Sequence, residues 1–481
     1  MHEHSYDLVI LGGGAAAFAA ITEADRRDLS TAIVNTGLPL GGTCVNVGCV
    51  PSKHLLEVGK TAFEPPRNPF AAVGYDDDQP TTDWSAALDE KDQVVASLRE
   101  QNYVDVAEHF GTAIYEGYGR FADDTRIEII NGDDSGVTIT GEKVLVATGS
   151  SPWIAPFDGI QDVPYETSET ILDRRDLPQS IVVIGGGYVG MEWGQILTHL
   201  GTDVTILQRS DHVLSGMEGQ LGGELQRCFE ADGIAVETNV EVQRVSSDPG
   251  DNPDGAGVAV EATVEGESRT FTASDLFVAT GVRANTEDIG LDAIGVETDG
   301  LGAVVVDDEF QTTNPVVYAA GDCIGEPMLE TVAAKEGNHA VRNAFSDEDI
   351  SIDYHAVPKV VFTSPEVAAV GTTELEYMEE HGTCRCRTVQ MSDVPKAKAV
   401  KDSRGLVQVV KHHETDEIVG VHMVAPRAAD MIPEATLAVK FGLTVDDIID
   451  TVHPFPTFSE AFKHACQAFR RDVSNMSCCV E

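Results

Sequence analysis

The chain repeats one pattern of hydrophobic and small residues, first near its start and again further along. Residues 6–11 (YDLVIL) are almost wholly apolar and run straight into glycines and alanines at 12–17. Residues 180–184 (SIVVI) run in the same way into the glycine-rich stretch 185–190. Short apolar runs bounded by turn residues predict buried strands, and the small residues that follow predict the start of a helix. The pattern therefore predicts two copies of a strand, a glycine turn and a helix.

Each glycine turn has the spacing G-x-G-x-x-G/A, which is typical of dinucleotide-binding units. Such glycines allow the backbone to approach a pyrophosphate, which then lies at the N-terminus of the following helix. The spacing falls on Gly12, Gly14 and Ala17 in the first copy and on Gly185, Gly187 and Gly190 in the second. One copy alone is a weak indication, whereas two copies, each between a strand and a helix, favour an enzyme that binds two dinucleotides.

The residues that end the second strand of each unit bear on which nucleotide is bound. A strand at 31–34 ends at Asn35, in the place where an acidic residue normally holds the ribose hydroxyls. An amide also hydrogen-bonds hydroxyls, so Asn35 remains a candidate contact. A strand at 203–207 ends at Gln208 and Arg209. Because a cation there accommodates the 2′-phosphate of NADP, NADPH is favoured, with an exposed surface arginine as the alternative.

The remaining pattern predicts further strands and a third domain. A long helix is predicted at 85–110, which carries Tyr103. Three more strands end in glycine turns: 144–148, which ends at Thr148 before Gly149; 275–278, before Gly281; and 317–320, before Gly321 and Asp322. From Val357 onward the pattern is rich in strands, and helices follow near 432–441 and 458–469. We predict an α/β fold class with two Rossmann-like dinucleotide-binding domains and a C-terminal α+β domain.

Length and charge narrow the class of protein. With 481 residues, 42% of them hydrophobic, the chain is globular and too long for one core. It has no apolar run of about 18 residues and no secretory signal, so we expect a soluble, cytoplasmic protein. The 80 acidic residues against 32 basic ones give a formal net charge of −48. Such a charge disfavours nucleic acid and anionic membranes as partners.

Acidic runs are spread along the chain, for example at 76–78, 379–380 and 446–447. Each run by itself is typical of a solvated surface. The large total of acidic residues favours a protein that works in concentrated salt, where repulsion between their charges is screened. A halophilic origin is therefore a hypothesis, which full stability and activity in dilute buffer would contradict.

A stretch with two cysteines, residues 41–53 (GGTCVNVGCVPSK), carries candidate redox chemistry. Cys44 and Cys49 are close enough in sequence to form a disulfide or to hold a soft metal ion, and inert core cysteines are the alternative. The chain ends in a second pair, Cys478 and Cys479, on a segment that we expect to be a mobile tail. The other cysteines are interpreted as ordinary residues.

These motifs, in this order and spacing, resemble the FAD-dependent pyridine nucleotide-disulfide oxidoreductases over nearly the whole chain. Within that family, the string GTCVNVGCVPSK, the segment at 393–395 (DVP) and the ending at 469–479 (FRRDVSNMSCC) are similar to mercuric reductases. The resemblance implies an FAD domain at 1–150 with 284–355, an NADPH domain at 151–283, an interface domain at 356–470 and a Cys-Cys tail at 471–481. It also implies a homodimer in which the partner's C-terminal region completes each active site.

The resemblance implies a route for mercury between subunits. Hg(II), which arrives as a thiol complex, would be captured by Cys478 and Cys479 and passed to Cys44 and Cys49 of the partner subunit. There it would be reduced to Hg(0) with electrons from NADPH, delivered through FAD. Thiolates are the soft ligands that select this soft ion. Cys49 would lie against the flavin, and Cys44 would be the more accessible thiol.

Other roles follow from the same resemblance. Lys53 would sit near the flavin and pair with Glu192, Tyr103 would supply a phenol, and Tyr188 would cover the nicotinamide pocket. Glu460 is a further candidate catalytic residue. The candidate cofactor-binding residues are Gly12, Gly14, Ala17, Asn35, Gly42, Thr43, Lys53, Thr148, Gly149, Gly185, Gly187, Tyr188, Gly190, Gln208, Arg209, Gly281 and Asp322.

The stretch 453–460 (HPFPTFSE) separates the close relatives. Dihydrolipoamide dehydrogenases and glutathione reductases have a histidine there as the acid-base partner of the dithiol, and mercuric reductases usually have a tyrosine. Phe455 stands in that place and cannot transfer protons, while His453 nearby is a weaker catalytic candidate. The alternatives are a dihydrolipoamide dehydrogenase-like disulfide reductase and a mercury-binding flavoprotein without turnover.

Overall fold

The computed structural model describes residues 4–67, 69–70, 82–248, 257–383 and 385–471. The first part of the chain forms a largely parallel sheet whose central strands pair in the order β3-β2-β1-β6, with β5 and β4 added in antiparallel fashion. Its elements are β1 (His4–Leu11), α1 (Ala15–Asp25), β2 (Thr31–Asn35), α2 (Gly42–Asn46), α3 (Cys49–Phe63), α4 (Trp84–Arg99), α5 (Asp105–Phe110), β3 (Ala113–Glu116), β4 (Tyr118–Phe121), β5 (Arg126–Ile130) and β6 (Thr138–Val146).

A second unit follows, with a parallel sheet in the order β10-β9-β8-β14 and an antiparallel sheet in the order β11-β12-β13. Its elements are β7 (Ser150–Pro152), β8 (Ser180–Ile184), α6 (Tyr188–His199), β9 (Asp203–Leu207), α7 (Gly219–Asp232), β10 (Ala235–Glu237), β11 (Val240–Ser247), β12 (Val258–Val264), β13 (Glu267–Ala273), β14 (Asp275–Val278) and β15 (Val282–Ala284). Buried residues of both sheets, among them Val182 and Val260, share one core. The antiparallel pair β7-β15 stands where the chain enters and leaves this unit.

After the second unit the chain returns to the first sheet. Strand β16 (Val317–Ala319) pairs in parallel with β6, and α8 (Glu330–Phe345) packs against α1. The two helices cross closely because Gly337 has no side chain: a Cβ there would lie 2.1 Å from the carbonyl oxygen of Ala16. The first sheet is therefore built from two separate parts of the sequence.

The last part of the described chain is an antiparallel sheet in the order β17-β18-β21-β20-β19, covered by helices. Its elements are β17 (Lys359–Val361), β18 (Glu366–Gly371), α9 (Glu374–His381), β19 (Cys386–Gln390), α10 (Pro395–Val400), β20 (Leu406–Lys411), β21 (Ile418–Ala425), α11 (Ala428–Lys440), α12 (Val445–Asp450) and α13 (Glu460–Gln467). Helix α11 begins before the predicted start at 432 and contains Pro433. Buried residues of the helices and the sheet, such as Phe462 and Met423, form one core.

The predicted α/β fold class with a C-terminal α+β domain is confirmed, and two local predictions are corrected. The predicted strand at 144–148 is the end of a longer strand, β6, which begins at Thr138 and ends at Val146. The predicted helix at 85–110 is divided by a π-helical turn, Glu100–Val104, between α4 and α5. The β11-β12-β13 sheet was not predicted, because β13 (ESRTFTA) is mostly exposed and lacks a clear apolar alternation.

The surface agrees with the interpretation of the acidic runs at 379–380 and 446–447, whose residues are exposed. Asp446 pairs with Arg470 at 2.8 Å, and Asp447 caps α12. No helix in the described ranges combines the length and apolarity needed to cross a bilayer. The acidic run at 76–78 and the terminal pair Cys478 and Cys479 lie outside the described residues.

Candidate active site

A cavity of about 700 Å³ opens where the parallel strands β1, β2, β6 and β16 end. Parallel α/β sheets bind ligands at this edge. The candidate cofactor residues that line the cavity are Gly12, Gly14, Asn35, Gly42, Thr43, Thr148, Gly149 and Asp322. Both Cys44 and Cys49 line it as well. Ala17 is fully buried within α1. The structure thus brings most residues predicted for the first nucleotide together with the first thiol pair.

The shape and donors of this cavity fit a dinucleotide. Gly12 has φ +110°, and a Cβ there would lie 2.1 Å from the carbonyl oxygen of Ala147, so only glycine allows this tight turn. Gly14 begins α1 without a side-chain cap, which leaves the first N–H groups of the helix to a phosphate. The hydroxyl of Thr148 is buried and has no hydrogen-bond partner within the described chain, so a bound group would satisfy it.

Two side chains at strand ends have their own partners in the cavity wall. Asn35 is half-buried and donates through Nδ2 to the carbonyl oxygen of Leu38 at 2.9 Å. Asp322 accepts a hydrogen bond from the Ser150 hydroxyl at 2.7 Å, and burial raises the pKa of its carboxyl. Both residues are thereby held in place at the cavity, as expected for contacts to a ribose or a polyol chain.

Two short helices place the thiols next to the nucleotide loop. Cys44 lies in α2, and Cys49 is the first residue of α3, where a helix N-terminus favours a thiolate. Gly42 has φ +60°, and a Cβ there would lie 2.9 Å from the Cα of Gly14. The glycine of the thiol loop and the glycine of the nucleotide loop therefore touch, which ties the thiols to the cofactor cavity.

Asn46 stabilises this thiol loop and was not singled out from the sequence. Its side chain is buried and donates to the carbonyl oxygens of Gly42 at 2.8 Å and Pro39 at 3.0 Å. Its Oδ1 accepts a hydrogen bond from Arg99 at 3.1 Å. An asparagine supplies these bonds without burying a charge, and its place as a polar residue between Val45 and Val47 is the sequence signal that could have found it.

The two thiols differ in exposure and in acidity. Cys49 is exposed to the cavity and Cys44 is half-buried, which is the reverse of the predicted order, in which Cys44 is the more accessible thiol. A hydrogen bond from Cys44, and then the charge of Lys53, lower the pKa of Cys49. The same hydrogen bond and burial raise the pKa of Cys44 well above its ordinary value. Cys49 is therefore the more acidic thiol of the pair, and Cys44 is the one that keeps its proton more strongly.

A carboxylate that was not predicted completes the cluster. Glu330, the first residue of α8, accepts a hydrogen bond from the Cys44 thiol and another from the Tyr103 hydroxyl at 3.3 Å. Tyr103 lies on the π-helical turn, and burial, followed by the nearby Glu330 charge, raises its pKa above the ordinary range. Such turns are frequent at functional sites. Its ring packs edge-on against Phe18 with centroids 4.8 Å apart.

Lys53 and Glu192 form the predicted pair, and their contact joins three parts of the fold. Lys53 of α3 donates to Glu192 of α6 at 2.8 Å. The other carboxylate oxygen of Glu192 accepts from the backbone N–H of Phe362 at 2.9 Å, next to β17. The Lys53 ammonium also lies 4.8 Å from the Phe362 ring centroid. Because the Glu192 carboxylate is buried and doubly bonded, it fixes the direction of Lys53.

The second nucleotide loop has the same construction as the first. Gly185 has φ +114°, and a Cβ there would lie 2.2 Å from the carbonyl oxygen of Ala279. A Cβ on Gly190 would lie 1.8 Å from the Gly185 oxygen, while Gly187 is exposed and open. Tyr188 begins α6 and is half-buried, and burial raises the pKa of its phenol to about 12.

The specificity residues of this unit point in different directions. Gln208 is buried, accepts from the N–H of Gly186 at 2.9 Å and donates to the carbonyl oxygen of His212 at 3.3 Å. Arg209 is exposed. Gly281 has φ +116° after β14. The amide thus organises the glycine loop, and Arg209 is the exposed residue of the two.

The C-terminal candidates are held within their own domain. His453 binds Glu434 at 2.8 Å, which raises the pKa of its imidazole. Phe455 is exposed. Glu460 is buried and accepts from the N–H of Thr457 at 3.1 Å, and burial raises the pKa of its carboxyl. A catalytic role for Glu460 or His453 stays a prediction.

Comparison with known proteins gives consistent matches over the whole length. Residues 6–337 match the family described as pyridine nucleotide-disulphide oxidoreductase, and residues 357–466 match the dimerisation domain of that family. A mercuric reductase of Streptomyces lividans is 38% identical over 99% of this chain and 98% of its own length. A mercuric reductase of Lysinibacillus sphaericus is 35% identical over 100% and 85%. Mitochondrial dihydrolipoyl dehydrogenase 1 of Arabidopsis thaliana is 33% identical over 96% and 90%.

Solved structures agree on the fold. The Cu(II) complex of the HOCl-induced flavoprotein disulfide reductase RclA from Escherichia coli has a TM-score of 0.84, with 24% identity over 97% of this chain and 100% of that chain. A second structure of this reductase, whose description names no copper, has a TM-score of 0.83. At this identity the likeness concerns the fold alone.

Proposed function

The chain belongs to the pyridine nucleotide-disulphide oxidoreductase family, and within it we propose that the protein is an NADPH-dependent mercuric reductase. The proposed reaction is Hg(II) + NADPH → Hg(0) + NADP+ + H+, in which NADPH loses two electrons and the metal gains them. The relatives named above include mercuric reductases, which supports this choice without deciding it, since a dihydrolipoyl dehydrogenase is similar at 33% identity.

The observation that carries the proposal is the polarised thiol pair at the cavity. The lowered pKa of Cys49 favours its thiolate form, and Cys44 stands beside it at the cavity as a second sulfur donor. Two adjacent sulfur donors suit a soft ion such as Hg(II). Binding releases the proton of Cys44, and transfer of two electrons to the metal returns both sulfurs as thiolates.

The proton chemistry of a disulfide reductase is less well supported. A dithiol that exchanges with an organic disulfide needs a nearby acid-base group, usually histidine. Phe455 stands in the histidine's place, and His453 is engaged by Glu434 within its own subunit. Glu330 touches Cys44 and is the observation that keeps a dihydrolipoamide dehydrogenase-like activity as the second candidate.

The remaining residues bind the cofactors and position them. Bound FAD would supply the transfer of electrons from NADPH to the thiol site. Gly12, Gly14 and Asp322 would hold FAD, Arg209 would hold the 2′-phosphate of NADPH, and Tyr188 would cover the nicotinamide pocket. The direction that Glu192 imposes on Lys53 would keep this cation beside the flavin ring.

The proposed assembly is a cytoplasmic homodimer, with FAD domain 1–150 and 284–355, NADPH domain 151–283 and interface domain 356–470. The match to a dimerisation domain supports the dimer. A reducing compartment suits working thiols. In this assembly the partner subunit's Cys478 and Cys479 would deliver Hg(II) to Cys44 and Cys49 by ligand exchange.

One assay tests the function directly. Purified protein is given NADPH and HgCl2 in molar KCl with excess thiol, and both NADPH oxidation and release of mercury vapour are measured. The same protein is given dihydrolipoamide and NAD. We expect mercury-dependent oxidation that is lost in Cys49→Ser. Turnover with dihydrolipoamide alone would establish the second candidate, and tight Hg(II) binding without vapour would establish a mercury-binding flavoprotein instead.

A second assay tests the tail. Replacing Cys478 and Cys479 with Ala is expected to slow turnover more when mercury arrives as a bulky thiol complex than when it arrives as a small one. The replacement Cys228→Ser, at a buried cysteine of α7, serves as the matched control for loss of a thiol. If the replacement of Cys478 and Cys479 changes the turnover rate equally with both mercury complexes, the tail does not deliver mercury.

A further inference from the structure

The Cys44–Glu330 contact places an oxygen donor in the thiol site. Glu330 is half-buried at the start of α8, and its carboxylate faces the Cys44 thiol on one side and the Tyr103 hydroxyl on the other. One donor atom each from Cys44, Cys49 and Glu330 lies within 4.8 Å of the others. This is the one such three-residue group of metal-ligating side chains within the described ranges of the chain. The carboxylate therefore belongs to the thiol cluster and is not a distant neighbour.

The spacing of the three atoms suits one metal ion. Bonds of about 2.3 Å from zinc to sulfur and about 2.0–2.2 Å from zinc to carboxylate oxygen separate two ligands of a tetrahedral ion by roughly 3.5–4 Å. The three donor atoms lie within 4.8 Å of one another, and the hydrogen-bonded atoms of Cys44 and Glu330 would move apart to admit an ion between them. Because the thiols also line the open cavity, a fourth position remains for water or an incoming ligand.

The donor set is less soft than a pair of thiolates alone. Hg(II) is satisfied by two sulfur donors, whereas Zn(II), a borderline ion, and Cd(II), which is less soft than Hg(II), also take carboxylate oxygen. We propose that Cys44, Cys49 and Glu330 form a three-ligand site that binds Zn(II) or Cd(II) in the reduced protein, with Glu330 as the oxygen ligand. The inference rests on the proposed function only in requiring Cys44 and Cys49 to be reduced thiols at one site. It predicts that ions of this class, which the protein does not reduce, compete with Hg(II).

The contact with Tyr103 explains how the carboxylate is held for this role. One oxygen of Glu330 accepts from the phenol and the other faces sulfur, so the carboxylate presents a single oxygen to the ion. Partners of this kind orient metal ligands, and their loss weakens binding. Tyr103 is thus a positioning residue for the proposed ion site.

The test measures Cd(II) binding, not turnover. Full-length holoprotein in which Cys478 and Cys479 are serine, so that tail thiols do not contribute, is reduced with dithionite and dialysed against Cd(II) without oxygen. We expect one bound Cd(II), with affinity about 10- to 100-fold lower in Glu330→Gln. The ultraviolet charge-transfer absorbance from thiolate to Cd(II) should persist at saturation, since both sulfurs remain. Glu100→Gln, an exposed carboxylate near Tyr103, is the matched control and should bind as before.

Each outcome decides the proposal. Equal Cd(II) affinity in Glu330→Gln would overturn it, and so would loss of the charge-transfer absorbance, because Glu330 would then position the thiols without binding the ion. A second test is X-ray absorption spectroscopy of Cd(II) bound to the protein with native Glu330. It does not depend on whether a Glu330 variant folds. Two sulfurs and at least one oxygen from a carboxylate are expected around the ion, and a shell of sulfur alone would overturn the site.

These readouts separate the site from the proposed function. A protein that fails to oxidise NADPH with Hg(II), yet loses Cd(II) affinity in Glu330→Gln, would disprove the reductase and support the site. A protein that reduces Hg(II), yet binds Cd(II) equally with and without Glu330, would support the reductase and disprove the site.

Discussion

The two nucleotide-binding units are alike at the first two glycines of the motif and differ at its last position and in the side chains around the loops. Gly12 and Gly185 have φ of +110° and +114°. A Cβ at either would lie 2.1 or 2.2 Å from a carbonyl oxygen of the neighbouring strand, at Ala147 or Ala279. The backbone therefore dictates glycine at this position in both units, whichever nucleotide is bound.

The differences lie in the side chains that surround the loops. Asn35 of the first unit lines the cavity, whereas Gln208 of the second is buried and binds the glycine loop itself at Gly186. The first loop touches a thiol-bearing helix through Gly42, while the second leads into α6, whose first residue is Tyr188. The comparison teaches that the shared motif shapes the backbone to fit a phosphate group. The residues outside the motif distinguish a unit that carries thiols from a unit proposed to bind the reducing nucleotide.

The largest effect is expected at the last position of the motif, where the two units differ. Gly190→Ala would place a Cβ 1.8 Å from the carbonyl oxygen of Gly185, whereas the first unit has Ala17 in this place. Since backbone must move to relieve that contact, we expect a loss of at least about 3 kcal/mol in the free energy of unfolding. Urea unfolding followed by tryptophan fluorescence measures it.

Gly187→Ala is the matched control for this change. Gly187 has nothing within 4 Å of a Cβ and a φ of −82°. We expect unfolding to change by less than about 0.5 kcal/mol, while the KM for NADPH rises because the new methyl group fills space left for the nucleotide. Equal unfolding free energies for the two variants would contradict the contact at Gly190.

The second effect concerns the choice of nucleotide. Replacing Gln208 with Glu and Arg209 with Ala should lower the ratio of kcat/KM for NADPH to that for NADH by about 10- to 100-fold, or about 1.4–2.7 kcal/mol. The reason is that the cation proposed for the 2′-phosphate is lost, while an acid is placed at the strand end where acidic residues hold the ribose. Reduction of ferricyanide by each nucleotide measures the ratio without mercury.

Arg244→Ala controls for the removal of an exposed arginine from the same unit. It should leave the nucleotide ratio unchanged. If the double replacement at 208 and 209 also leaves the ratio unchanged, the assignment of Arg209 to the 2′-phosphate fails, and the two units differ less in specificity than proposed.

The third expected effect is smaller and concerns the thiol loop, which the first unit has in addition to its nucleotide loop. Asn46→Ala removes the bonds to the carbonyl oxygens of Gly42 and Pro39 and leaves Arg99 without this partner. We expect a loss of about 1–2 kcal/mol in the free energy of unfolding, because buried acceptors lose their donor. Asn285→Ala, at an exposed amide that binds the carbonyl oxygen of Thr148, is the control, and it should cost less than half as much.

Sequence pattern predicted those features that depend on neighbours in the chain. The two strand, glycine and helix units follow from short apolar runs that lead into glycines. The pair of Lys53 with Glu192 was reached by family resemblance. Each of these features leaves a pattern in the sequence, either among neighbouring residues or in a motif of the family. A single sequence is therefore enough to predict it.

Features made by long-range contact were not predictable in the same way. Glu330 reaches Cys44 across 286 positions, and an acidic residue at a helix start is common enough to carry no signal of its own. The β11-β12-β13 sheet escaped prediction because much of it faces solvent and its polar residues hide the strand period. The Glu330 contact and the β11-β12-β13 sheet both depend on tertiary packing, which local sequence propensity does not describe.

The smallest effect is expected where the two units meet, at the pair of Lys53 and Glu192. The Lys53 charge lowers the pKa of Cys49, so Lys53→Met should raise that pKa and reduce the thiolate fraction at pH values below it. Alkylation of Cys49 by iodoacetamide should then slow by about two- to tenfold near neutral pH, and the difference should disappear at high pH, where the thiol is ionised in both proteins. Lys60→Met, one helical turn or more further along α3, controls for loss of a cation and should change little. An identical pH profile for Lys53→Met would mean that the hydrogen bond from Cys44 alone sets the acidity of Cys49, and that the second unit orients no charge for the first.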